Sequence, residues 1–199
     1  MAPHIDVPVR DGRVRIRLAD HEDTPALEAG FAHLSDDSRY TRFFTAMPKL
    51  SASVLERLSD VDGRNRVAIA AFDPDRPSEV GAEDGYAIGV GRYIRTADDD
   101  DVAELSVAVI DEYHGRGIGR VLLTAVVVAA HLHEVARLQA FVLAMNSPMI
   151  GMLTELGAVD HTDRGAYDVR LLEVDVATTI ERIGGDGDLV SRLAEVLAG

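Results

Sequence analysis

Between residues 114 and 120 the chain reads His-Gly-Arg-Gly-Ile-Gly-Arg. Glycine at every second position lets a backbone bend tightly and approach a ligand with no Cβ in the way. An apolar run from Val107 to Ile110 leads in, and a longer one from Val121 to Leu132 leads out. The turn therefore opens a helix, where unpaired N–H groups and the positive end of the dipole point outward. Arg116 and Arg120 add full positive charges beside Gly115, Gly117 and Gly119, and the His114 ring offers a further N–H. This is chemistry for a phosphate or pyrophosphate. A strand-turn-helix that uses its glycines for geometry alone is the competing reading.

Two common phosphate sites do not fit. The dinucleotide fingerprint needs a third glycine three residues after the second. Counted from Gly115 and Gly117 that place holds Arg120, and counted from Gly117 and Gly119 it holds Leu122. A P-loop needs Gly-Lys-Ser/Thr, and the only lysine is Lys49. The segment instead resembles the pyrophosphate loop of the GNAT superfamily of N-acetyltransferases, Gln/Arg-x-x-Gly-x-Gly/Ala after a strand, with His114 in the Gln/Arg place. Asn146 followed by Met149, Met152, Leu156 and Gly157 resembles that superfamily's Asn-started helix. Ser38 to Phe44 (SRYTRFF), followed by Leu58 to Phe72, is similar to the acyltransferase domain of bacterial Pat-type protein lysine acetyltransferases. The likeness spans roughly 13–172.

The resemblance implies acetyl-CoA as cosubstrate. It makes the main chain of Val107 to Val109 the partner of the pantetheine arm, as an added strand would be. It gives Val109 N–H the thioester carbonyl, where a fixed donor acts as an oxyanion hole. Asn146 would cap its helix and bond the pantetheine. Phe43 and Phe44 would line the acceptor pocket, or else pack as core aromatics. An alkylamine acceptor has a pKa near ~10.4 and must lose a proton before it attacks. Pat-type domains carry a glutamate at the place of Glu104, the candidate general base, acting directly or through water. Alternation puts Glu104, Ser106 and Ala108 on one strand face and Leu105, Val107 and Val109 on the other. Glu104 lies five residues from Val109, ~17 Å along an ideal strand, so a bulge or a bridging water is expected between them. Where many relatives place a tyrosine that protonates the leaving thiolate, this chain has Leu153. Water, or less readily Ser147, is left for that task.

The order of patterns sets the elements around these residues. Arg13 to Ala19 alternates as a first strand, and 20–34 reads as a helix with Pro25 in its first turn. A loop or short helix occupies 35–49, and a short helix capped by Ser51 occupies 51–60. Strands follow at 66–72, 86–95 and 103–110, with the acidic tip Asp98 to Asp101 between the last two. A helix over 117–134, a strand over 138–144 and a helix over 146–156 ended by Gly157 come next. A hairpin over 159–172, turning at Asp163-Arg164-Gly165, precedes helical pieces within 178–197. Meander strands followed by crossover helices define an α/β fold, GNAT-like, with a mixed, mostly antiparallel central sheet flanked by helices. The expectation is a single acetyltransferase domain over 1–199, with its core at about 13–172 and a C-terminal helical extension at about 176–198.

Composition narrows the function. Apolar residues are 47% of 199, which excludes a disordered chain. No apolar run reaches ~18 residues and no signal-peptide core is visible, so no membrane partner and a cytoplasmic location are expected. The net charge of −14 argues against nucleic acid as a partner. It favours solubility, and would also steer a cationic amine. Cysteine is absent, so acyl-cysteine intermediates and thiolate metal sites are excluded. No metal is expected: His131 and His133 project ~200° apart on a helix, and His133-Glu134 lacks the second histidine of HExxH. The acidic tip lacks calcium-loop spacing.

The expected activity is direct transfer of acetyl from acetyl-CoA to an amine, with protein lysine as the acceptor that the Pat-type likeness implies. A small-molecule amine is the alternative acceptor, and a catalytically weak CoA-binding regulatory protein the alternative class. A monomer or a homodimer would serve either. Because Lys49 is the single lysine, self-modification is bounded. Mass spectrometry after long incubation with acetyl-CoA is expected to show at most two acetyl groups on amines, one on Lys49 and one on the N-terminus.

Overall fold

The computed structural model describes residues 2–163, 168–184 and 187–198. Its eight strands are β1 (Ile5–Val9), β2 (Gly12–Leu18), β3 (Arg66–Asp73), β4 (Tyr86–Arg95), β5 (Val102–Val109), β6 (Arg137–Leu143), β7 (Val159–Asp160) and β8 (Val169–Asp175). They form one sheet in the order β1-β2-β3-β4-β5-β6-β8-β7. All neighbours are antiparallel except β5 and β6. The mixed, mostly antiparallel sheet expected from the sequence is therefore present.

The helices are α1 (Thr24–Ala32), α2 (Asp36–Phe43), α3 (Ala52–Ser59), α4 (Ile118–Leu132), α5 (Ser147–Glu155), α6 (Val176–Ile183) and α7 (Gly187–Leu197). The first three lie over the sheet face that carries Ala68, Ala70, Val90 and Arg92. Helix α4 lies on the opposite face, and eleven of its 15 residues are buried. Its approach depends on Gly91, where a Cβ would stand 2.9 Å from Val126 Cγ2. Helices α6 and α7 cover the outer side of α4, with Leu193 and Leu197 fully buried. This explains why α4 is apolar all round rather than along one stripe. No described helix is long and apolar enough to cross a membrane.

One strand was not anticipated: β1 precedes the expected first strand and pairs with it from Ile5–Ile16 to Val9–Gly12. Ile5 and Val7 are buried and Pro8 is exposed, as an edge strand allows. The signal was Asp11-Gly12, whose φ angles of 64° and 138° make the tight turn. The stretch 35–49 resolves into α2, capped by the Ser35 side chain. The final hairpin is β7 with β8, and β8 runs on to Asp175; Arg164 and Gly165 of its expected turn lie outside the described residues.

Helix α2 is pinned to the start of the glycine turn. Asp111 accepts hydrogen bonds from Ser35 N at 2.8 Å, Ser35 Oγ at 2.6 Å and Ser38 Oγ at 2.9 Å. Burial alone would raise this carboxyl, but those bonds outweigh it and hold its pKa below the usual value. The C-terminal helices carry a measurable share of stability. Leu193→Ala, which empties a fully buried position against α4, is expected to cost about 2–5 kcal/mol, read as a lower urea midpoint at unchanged slope.

Candidate active site

Strand β5 follows β4 through seven residue pairs, from Arg95–Ala103 to Gly89–Val109, with no shift of register. It follows β6 for only three, ending at Glu104–Gln139, while β6 continues along β8 to Leu143. Beyond that point the two strands part and leave a wedge. Ile110 N donates to Ile88 O at 2.9 Å, so even-numbered residues of β5 turn their backbone groups toward β4 and odd-numbered ones toward the wedge. Val107 and Val109 therefore present N–H and C=O to it.

At the open end of the wedge the glycine turn takes the shape its sequence demands. Gly115 and Gly117 have φ of 75° and 90°, which L side chains rarely adopt. Gly119 serves packing instead: a Cβ there would lie 3.4 Å from the Met152 side chain. Helix α4 has Gly117 as its N-cap, with no side-chain cap, and Arg120 N turns back to Gly117 O at 3.1 Å, so the N–H groups of Ile118 and Gly119 are left for an anion. Wedge and turn form one cleft of about 660 Å³. The residues present thus fit a diphosphate at the turn and an extended chain along β5.

The cleft brings together most of the candidates. Glu104, Val107 and Val109 line it along β5; His114, Gly115, Gly117, Gly119 and Arg120 line it at the turn; Asn146 and Phe44 complete its walls. Arg116 is not in the lining: its Nη2 donates to Glu112 O at 3.1 Å and its guanidinium stacks on Tyr113. Arg120 is ion-paired with Glu155. His114 Nε2 donates to the Val109 carbonyl at 2.8 Å, so that nitrogen braces the strand rather than reaching outward. Asn146 Oδ1 accepts from Met149 N at 3.2 Å as the helix cap.

Phe43 and Phe44 separate. Phe44 sits at the α2 C-cap in the left-handed region and is exposed in the cleft. Phe43 turns under the helix, edge-on to Phe31 with ring centroids 5.7 Å apart. Leu153 is fully buried and Ser147 is not in the lining. Tyr113 lines the cleft with its ring, but its hydroxyl donates to Asp73 at 2.7 Å. Burial and that bond push its pKa up.

No bulge closes the distance between Glu104 and Val109. The irregularity in this part of the sheet falls between Ala71 and Phe72 of β3. Glu104 is exposed, lines the cleft and makes no hydrogen bond or salt bridge among the described residues. Sequence reasoning missed its neighbours. Arg42, from α2, lines the cleft, and Arg92, from β4, is buried nearby. Both feel the charge of Glu104. Arg92 could have been found from the pairing of β4 with β5; Arg42 depends on how α2 docks.

A split sheet open to an extended chain, beside a turn suited to a diphosphate, makes a cleft for a long phosphorylated ligand. The Acetyltransferase (GNAT) domain profile matches residues 13–159, and the chain belongs to that family. It is 30% identical over 166 residues to the acetyltransferase Pat of Mycolicibacterium smegmatis, covering 83% of this chain and 46% of that protein. The chain thus spans about half the length of that relative. It is 27% identical over 156 residues to the Pseudomonas aeruginosa acetyltransferase PA5475, covering 77% of this chain and 79% of that one. Among solved structures, the GNAT domain of S. lividans PAT superposes with a TM-score of 0.76 at 30% identity, over 86% of this chain and 96% of that one. A Salmonella typhimurium protein solved with acetyl-CoA shares the fold, with a TM-score of 0.62 at 16% identity over 82% of this chain and 94% of that one.

The glycine turn is directly testable. Gly117→Glu places a side chain and a negative charge where φ is 90° and an anion would sit, and is expected to abolish acetyl-CoA binding in calorimetry. Gly117→Ala, which adds only the left-handed backbone cost of ~1–2 kcal/mol, is expected to lower stability by about that amount and to weaken binding far less than Gly117→Glu.

Proposed function

We infer that the protein is an acetyl-CoA-dependent N-acetyltransferase that moves acetyl directly to an amine. The observation that carries this reading is the wedge: Val107, and the N–H of Val109, offer backbone groups that no strand pairs along one edge, with Glu104 at its closed end and the glycine turn at its open end. Bound acetyl-CoA supplies the activated acetyl thioester.

The continuous β5 register favours Val107 over Val109 as the donor. Val109 lies ~17 Å from Glu104 along the strand and Val107 only ~10 Å, a span that an acceptor amine and a water can bridge. Val107 N–H then meets the charge that develops on the thioester oxygen. Glu104 takes the ammonium proton, directly or through water. The amine nitrogen bonds the acetyl carbon, the carbon–sulfur bond breaks, and the nitrogen sheds its second proton to water to leave the amide. The thiolate, with a pKa near ~8.5, is stable enough to take its proton from water, since Leu153 offers none.

The likeness to Pat favours a protein lysine as acceptor. The panel that tests the reading is a thiol-release assay with free amines and lysine peptides. Steady release of CoA supports an enzyme; tight CoA binding with no turnover on any of them makes the chain a CoA-binding regulatory protein. Within an active enzyme, Glu104→Gln is expected to lower kcat by ~10²–10⁴ near pH 7. The defect should shrink toward pH 10 as the free amine becomes abundant. Equal kcat for wild type and variant from pH 6 to 9 would remove Glu104 from the reaction.

A further inference from the structure

Beside Glu104 lie two arginines that the transfer step does not use. Arg92 is 4% exposed. Its Nη1 donates to Leu58 O at 3.2 Å, while Nε and Nη2 have no partner. Arg42 is half-buried and makes no hydrogen bond or salt bridge among the described residues; its guanidinium lies 5.0 Å from the Phe43 ring centre. Burial, with Arg92 nearby, pulls Arg42 down to about 10 against the opposing pull of Glu104. Burial lowers Arg92 as well, opposed by Asp60 and Glu104. A buried cation without a hydrogen-bonded anion is costly, and here two of them converge.

Both arginines line a second cavity of about 100 Å³ under α1–α3. Its wall is otherwise mainly apolar, including Leu27, Phe31, Leu58, Ala70 and Val90. It adjoins the cleft, since Leu34, Arg42 and Ala108 line both. Arg92 pairs across the sheet with Ser106, which makes Glu104 its diagonal neighbour at ~7–8 Å. The cavity thus offers a double cationic hold and an apolar recess, and Arg42 joins it to the cleft that Glu104 lines.

We propose that the acceptor is a small apolar α-amino acid, its carboxylate held by Arg42 and Arg92, its side chain in the cavity under α1–α3 and its amine toward Glu104. Two guanidiniums suit a carboxylate better than a neutral group because their hydrogen bonds are charge-assisted. The small volume, about 100 Å³, suits the side chain of a free amino acid. This rests on the N-acetyltransferase reading and chooses a different acceptor from the one the Pat likeness favours.

The test compares CoA release with leucine, leucinamide, isoamylamine and a lysine peptide. Leucine is expected to exceed isoamylamine and leucinamide at least tenfold in kcat/KM. In Arg92→Gln, and separately in the less buried Arg42→Gln, that ratio should collapse toward one, with folding checked by the thermal midpoint. Turnover of amines regardless of their carboxylate, or preference for the lysine peptide, overturns this proposal and keeps the N-acetyltransferase reading. If no amine turns over, leucine binding to the CoA-loaded protein decides by calorimetry. Binding lost in Arg92→Gln or Arg42→Gln supports the site while the enzyme reading falls, and no binding, or binding that survives both substitutions, overturns the site.

Discussion

Strands β5 and β6 are joined by three residue pairs, whereas each is held to its antiparallel neighbour by seven. A sheet normally pairs its backbone groups throughout, because an unpaired buried N–H or C=O costs about as much as a lost hydrogen bond. The early parting of these two strands leaves that pairing capacity unspent. The wedge, the orientation of Val107 and Val109, and the position of Glu104 at the closed end all follow from it. An extended ligand arm entering the gap would complete the sheet rather than merely occupy a hole.

The wedge stays open because its two arms are braced separately. On the β5 side, α4 sits close against Gly91 and carries the glycine turn at its own start. His114 ties that turn back to the Val109 carbonyl, and Asp111 ties it to α2. On the β6 side, β8 pairs along the full strand. Both the glycine turn and the Glu104 end of the wedge are thus anchored to β5. A change in the glycine turn would reach Glu104 through one strand and not through a loop.

What the sequence made legible was local. Three glycines within five residues announce a turn, and the structure separates their roles: Gly115 and Gly117 by φ, Gly119 by packing against Met152. Alternation correctly placed Glu104 and Val107 on opposite faces. The strand β1 was readable from Asp11-Gly12 but was masked by its brevity and by Pro8. Less accessible were features that need partners distant in sequence. No local pattern says where β5 and β6 part, nor that α2 turns Phe44 outward and Phe43 inward, nor that Arg42 and Arg92 meet. Hydrophobic periodicity reports which face of an element is buried, not which other element buries it.

The C-terminal helices have a consequence for how the chain is made. Arg192 on α7 donates to the Asp6 carbonyl on β1 at 3.1 Å, a contact between residues 186 positions apart. The outer face of α4 is covered by the same helix. During synthesis from the N-terminus, the most apolar helix of the fold must therefore wait, one side bare, until α7 has left the ribosome. Long-range closure of this kind slows folding, and exposed apolar surface in a late intermediate invites aggregation. Helix α4 follows five of the eight strands in the chain and is among the last elements to be sealed.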